Sequence, residues 1–220
     1  MIERYFQPGV RLKWRCPPAG QGGAMDGSVI NTPAVSSTTM TYDGLDGDLF
    51  QGGPHISTFG LSMGMTIDFD WLAYVRGHTA KIRSNRDVLT GPMSGCLITR
   101  WTDGTGNWVG HLGTTDSSAD ISSRVKSTFA DFMPDNTIGF NPVRAWDGNE
   151  TWAMMGKFKQ RPDTGISLAL VTPSNDFYSL LLLAISGTHQ SQWCVAGCKK
   201  MPAMDYHELK FALYGTRPRR

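Results

Sequence analysis

The chain has 220 residues, 40% of them hydrophobic, and a formal net charge of +2 at pH 7. That length is enough to bury the core of one large domain, and the near-neutral balance excludes nucleic-acid binding by bulk electrostatics. Four cysteines in a chain this long exclude a disulfide-stapled scaffold and leave room for a free, reactive thiol in a reducing compartment.

Residues 1–4, Met-Ile-Glu-Arg, lead into no apolar run or small-residue cleavage site. Synthesis in the cytoplasm without a cleavable signal is therefore expected, compatible with export by a dedicated secretion machine and action inside a target cell. The most apolar stretch, 178–185, is too short to cross a bilayer. With 25 Gly and 12 Pro, the composition favours loops and strands over a helical bundle. Residues 1–60 read as loop-rich, with an edge strand at 10–14 and a turn at 17–23. Asp43, Asp46 and Asp48 suggest a fragment of a calcium loop, but the alternate-position ligands and closing Glu of an EF-hand are absent. Residues 68–76 have the apolar spacing of a short amphipathic helix.

A hairpin is expected over 96–114. Asp103-Gly104 is a strong two-residue turn signal. With that turn Thr102 faces Thr105, Ile98 faces Val109, and Cys96 faces His111, with Cβ atoms roughly 4.5–5.5 Å apart. A helix over 119–132 follows, closing before Pro134 and burying Val125, Phe129 and Phe132. Strands at 151–158, 165–171, 178–186, 192–195 and 209–214 complete the chain. The sum is a single α+β domain, 1–220, with a largely antiparallel sheet or sandwich core flanked by helices and long loops.

A thiol beside an imidazole is the minimal nucleophile–base pair of cysteine catalysis. The approach Pro92-Met93-Ser94-Gly95 offers outward-pointing backbone N–H groups that could hold an oxyanion. Gly110 and Gly113 flank His111 and leave room for a substrate backbone. Asn107 shares the face of the pair two residue pairs away, and Asp116 follows the second strand; either could orient the imidazole. The same pair serves peptidases, amidases and transglutaminases, and a non-catalytic β-rich interaction module accommodates it as packing.

Ser94-Gly95-Cys96, followed by a histidine near the end of the next strand and then Gly113-Thr114, resembles the Cys–His protein-glutamine deamidases. These include the catalytic domains of cytotoxic necrotizing factors, toxins of the Burkholderia lethal factor type, and chemoreceptor deamidases. The Leu-x-Gly-Cys motif of the toxins corresponds to Met93-Ser94-Gly95-Cys96, a departure at its first position, and Thr90 falls where several relatives carry a threonine. The resemblance covers residues 90–114. It implies that Cys96 attacks a glutamine carboxamide in a target protein, that His111 moves the proton and that Thr90 orients His111. It also implies that Gly95 and Cys96 amides hold the oxyanion, with Ser94, Gly113 and Thr114 near the substrate. No cofactor, metal, nucleic acid or membrane is required, and a monomer suffices.

Two rival sites are weaker. His189, Cys194, Cys198 and His207 are possible zinc ligands, but the spacing matches no common motif, and on one strand the two thiols share a face yet lie too far apart. Trp101, Trp108, Trp146 and Trp152 invite a stacking platform. Trp101 and Trp108 fall on the hairpin face opposite the Cys–His pair and are expected to pack the core.

Overall fold

The computed structural model describes residues 2–32, 35–45, 62–146, 148–150, 165–184 and 192–214. Twelve strands and two α-helices are labelled in chain order. The strands are β1 (Val10–Lys13), β2 (Val29–Asn31), β3 (Val35–Leu45), β4 (Thr66–Ala73), β5 (Thr79–Arg83), β6 (Val88–Gly91), β7 (Leu97–Asp103), β8 (Gly106–Leu112), β9 (Ile138–Phe140), β10 (Gly165–Val171), β11 (Phe177–Ala184) and β12 (Gln192–Met201). The helices are α1 (Ala119–Phe132) and α2 (Tyr206–Tyr214).

Seven strands close into a barrel in the order β1-β12-β11-β10-β6-β4-β3, and five form a second sheet, β2-β5-β8-β7-β9. All pairings are antiparallel except β4 with β6 and β2 with β5. The expected α+β class with a largely antiparallel core is what the chain forms, with the barrel as its main element.

Alternation decides which face each strand buries. On β4, Ile67, Phe69 and Trp71 point into the barrel among Leu12, Trp14, Met40, Leu89, Leu168, Leu182 and Val195. On the outside, Leu72, Val88, Ala169, Val171 and Phe177 meet Ala80, Ile82, Ile98, Val109 and Phe140 of the second sheet, with Cys96 just ahead of β7. The far face of that sheet, through Leu97, Trp101 and Leu112, packs on Val125, Phe129 and Ala130 of α1 and on Leu209 and Leu213 of α2. The layers are thus barrel, sheet and helices, each contact sealed by an apolar cluster.

Several expectations need correction. Residues 68–76 are largely strand, because the apolar residues at 67, 69 and 71 repeat every two positions. Residues 209–214 belong to α2, which opens on a reciprocal cap: Glu208 N–H donates to Asp205 Oδ1 at 2.8 Å and Asp205 N–H to Glu208 Oε2 at 3.1 Å. Leu209 and Leu213, four apart, form its buried stripe. The loop-rich N-terminal region contains the eleven-residue β3. Helix 119–132 is as expected, with Ser118 Oγ accepting from Ile121 N–H, although Phe132 is exposed rather than buried. The expected strand at 151–158 lies outside the described residues. So do His189, Trp152 and the Asp46 and Asp48 of the calcium-loop reading, whose Asp43 pairs with Lys13 at 2.7 Å. Among the described residues no helix is long and apolar enough to cross a membrane.

Candidate active site

The hairpin forms, but its turn lies one residue later than Asp103-Gly104 suggests. Asp103 pairs with Gly106, Thr102 with Asn107, Ile98 with His111 and Leu97 with Leu112. Asp103 supplies the reason. Its Oδ1 accepts from Thr105 N–H at 2.7 Å, Thr105 O–H at 2.6 Å and Gly106 N–H at 3.2 Å, so it caps the turn from outside. Those hydrogen bonds hold its carboxyl down at about 2. The expected direct opposition of Cys96 and His111 is therefore corrected: Ile98 faces His111, and Cys96 precedes β7. The shift moves the pairing by two positions, so Cys96 and His111 still look to the same side, as diagonal neighbours.

That side is the seam between sheet and barrel. His111 is fully buried on the central strand β8, and Cys96 is 1% exposed. Thr90 comes from the barrel wall, on β6 between β4 and β10, and its Oγ1 lies 2.6 Å from His111 Nδ1. The two side chains are within hydrogen-bond distance of each other. Asn107 instead accepts from Thr102 O–H at 2.7 Å and donates to Asn85 at 2.8 Å, at the turn end of the hairpin. Asp116 is exposed. Its charge is felt at Cys96 and Tyr74, pushing both groups up as a secondary influence.

The thiol points elsewhere than the imidazole. Thr114 O–H donates to Cys96 Sγ at 3.6 Å, and the S–H is directed at Thr114 O at 4.0 Å. His111 Nε2 is buried with no hydrogen-bond partner. Burial raises the Cys96 pKa, opposed in part by hydrogen bonding to Thr114 and the Ser94 main chain. Burial alone pulls His111 down to about 3 from its ordinary 6.5. At neutral pH the site therefore holds a neutral thiol and a neutral imidazole that are not hydrogen-bonded to each other.

Ser94 and Gly95 are exposed at the mouth of the seam; a Cβ on Gly95 would meet nothing within 4 Å. Gly113 and Gly110 do not leave space for a substrate backbone, which corrects that expectation. A Cβ on Gly113 would stand 2.0 Å from Val75 O, and one on Gly110 would stand 2.7 Å from Thr99 Oγ1. These glycines admit the protein's own chain. Gly113 N–H donates to His78 O, and Gly77 N–H to Gly113 O, both at 2.8 Å. Tyr74, which the helical reading of 68–76 hid, lies with its ring centroid 5.4 Å from that of His111 and donates its O–H to Thr114 O at 3.0 Å. Reading β4 by its period of two would have carried the chain to Tyr74 at the strand end, beside the site.

The zinc alternative loses its geometry. On β12 the register against β11 slips between Leu181 and Leu182. The extra residue turns Cys198 toward the barrel core that Trp193 and Val195 fill, whereas Cys194 faces out, correcting their expected common face. His207 is on α2 beside Tyr206. Among the described residues no group of three or more His, Cys, Asp and Glu side chains is disposed to hold a metal ion. Trp101 is buried and stacks on Trp108 at 6.3 Å, with the Lys81 ammonium 4.2 Å from the Trp108 ring centre, so this pair packs against α1. Trp146 donates to Ser179 Oγ at 2.8 Å.

No family profile matches the chain, and no curated protein does. Among solved structures, the C-terminal domain of CNFy from Yersinia pseudotuberculosis superposes over 76% of this chain and 72% of that one, at 11% identity and a TM-score of 0.24. A superposition that loose leaves the site to be argued from its own geometry.

Proposed function

We propose that the chain is a cysteine-dependent protein-glutamine deamidase, acting as a toxin or effector on a target protein. The observation that carries this reading is the Thr90–His111 contact at 2.6 Å. With Nδ1 donating to Thr90 Oγ1, Nε2, which has no hydrogen-bond partner, keeps a lone pair to accept a proton.

The chemistry follows from those atoms. The thiol turns from Thr114 to Nε2 and gives up its proton as Sγ bonds to the carboxamide carbon. Main-chain N–H groups at Gly95 and Cys96 hold the oxyanion. His111 then passes the proton to the amide nitrogen, the C–N bond breaks and ammonia leaves. Water, deprotonated at the same Nε2, opens the thioester to glutamate and returns the thiol. No step requires a metal or organic cofactor.

Peptide mass spectrometry of lysate treated with wild type or with Cys96→Ser tests this. A target about 1 Da heavier at a glutamine, by exchange of amide for acid, and present with wild type alone, is the expected result. A cleaved target would mean a peptidase, and a cross-linked one a transglutaminase.

A second reading has a specific observation behind it: Cys96 and His111 are both buried and are not hydrogen-bonded to each other. In a non-catalytic module the two would be packing. Iodoacetamide labelling separates the readings. A catalytic pair gives Cys96 alkylation near neutral pH that His111→Ala abolishes, whereas a packing thiol reacts as slowly in both.

A further inference from the structure

Tyr74 makes two contacts that the steps above leave unused. Its ring lies against His111, and its hydroxyl donates to Thr114 O at 3.0 Å. The same carbonyl is the atom toward which the Cys96 S–H is directed at 4.0 Å. A carbonyl oxygen has two lone pairs. Tyr74 takes one and fixes the direction of the other, which in the resting arrangement receives a long, weak S–H bond. When the thiol turns to Nε2, that lone pair is released next to the reacting sulfur.

We propose that the main-chain carbonyl of Thr114, aimed by Tyr74, accepts a hydrogen bond from the NH2 group of the substrate, so that the site selects a primary carboxamide over an ester or a carboxylate. The proposal rests on the deamidase reading of Cys96 and His111. An ester has no N–H to offer and leaves the second lone pair of that carbonyl without the substrate hydrogen bond. The carboxylate product presents only acceptor oxygens to it, so the atom that admits the amide disfavours its product. Tyr74 is here a positioning residue: it touches Thr114 and His111, not the substrate.

The test compares alkylation of Cys96 in the intact chain by iodoacetamide and by methyl iodoacetate. Both reagents form an S–C bond and expel iodide; they differ in carrying an amide or a methyl ester beside the reacting carbon. Peptide mass spectrometry gives each rate at Cys96, and the ratio of the two is divided by the same ratio for glutathione. Wild type is expected to favour the amide about fivefold after that correction, the discrimination one neutral hydrogen bond supports. Tyr74→Phe keeps the ring, loses the O–H, and is expected to bring the ratio back toward that of glutathione. A wild-type ratio equal to that of glutathione, with labelling still dependent on His111, overturns this proposal and leaves the Cys–His pair standing. Labelling indifferent to His111→Ala overturns the deamidase reading itself, and the proposal with it. A preference unchanged in Tyr74→Phe removes Tyr74 from the device. The wild-type comparison needs no variant to fold.

Discussion

Thr90 and His111 are both fully buried, so their 2.6 Å contact is shielded from water and its loss cannot be made good by solvent. Thr90→Val keeps the shape and deletes the oxygen. It is expected to lower stability by about 1–3 kcal/mol, the cost of leaving Nδ1 buried and unpaired, measurable by urea denaturation. It should also slow any His111-dependent labelling of Cys96, because the imidazole loses its fixed tautomer. The pH dependence has a definite sign. His111 is held near 3 in the folded chain against an ordinary 6.5, so between those values the unfolded chain binds the extra proton. The neutral ring's contribution is complete above about 6.5 and falls on acidification toward 3, by at most about 1.4 kcal/mol per pH unit. Denaturation curves at pH 7, 5 and 4 should show this fall, and His111→Gln should flatten it. Cys96 and His111 could be named as candidates from residue type and hairpin pairing, and Thr90 only through the resemblance over residues 90–114. Tyr74 and the direction of the thiol were not legible in the sequence, since both depend on which way a strand end turns after β4.

At the scale of elements, the hairpin shows how a local signal yields to a neighbouring side chain. Asp103-Gly104 marks the turn correctly, yet the three hydrogen bonds on Asp103 Oδ1 move the loop to Gly104-Thr105 and shift every pair across it. The shared face survived because the shift changed the pairing by an even number, a matter of parity that no propensity encodes. Helix α1 was legible in its bounds and in Val125 and Phe129 of its buried stripe, but not in Phe132, which is exposed. Helix α2 was misread as strand because Leu209, Phe211 and Leu213 alternate, while the cap at Asp205 and Glu208 decides the matter. The close approach at Gly113 can be tested directly. Gly113→Ala sets a methyl against Val75 O and is expected to cost about 1–3 kcal/mol as the 75–78 segment is pushed from β8. Gly104→Ala, where a Cβ meets nothing within 4 Å, should stay within about 0.5 kcal/mol. Paired thermal melts of the two variants measure the difference.

For the whole molecule, most pairings join distant parts of the chain: β1 meets β12 to close the barrel, and β6 meets β10 across the intervening β7, β8 and β9. Closing such loops costs entropy before the contacts are made, so refolding is expected in milliseconds to seconds rather than microseconds, as stopped-flow fluorescence of the buried tryptophans would record. The class of fold was legible from the run of C-terminal strands, but closure was not, because nothing local in 10–13 says that its partner is 192–201. The layering also governs when the site can exist. Thr90 stands on the barrel and His111 on the sheet, so the contact between them is a contact between two independently paired layers. β6 is held in the wall by β4 on one side and β10 on the other. A growing chain that already contains Thr90, Cys96 and His111 therefore still lacks the strand that steadies Thr90. The Thr90–His111 contact is therefore steadied from both layers only after β10 has been made, although its two residues are made early.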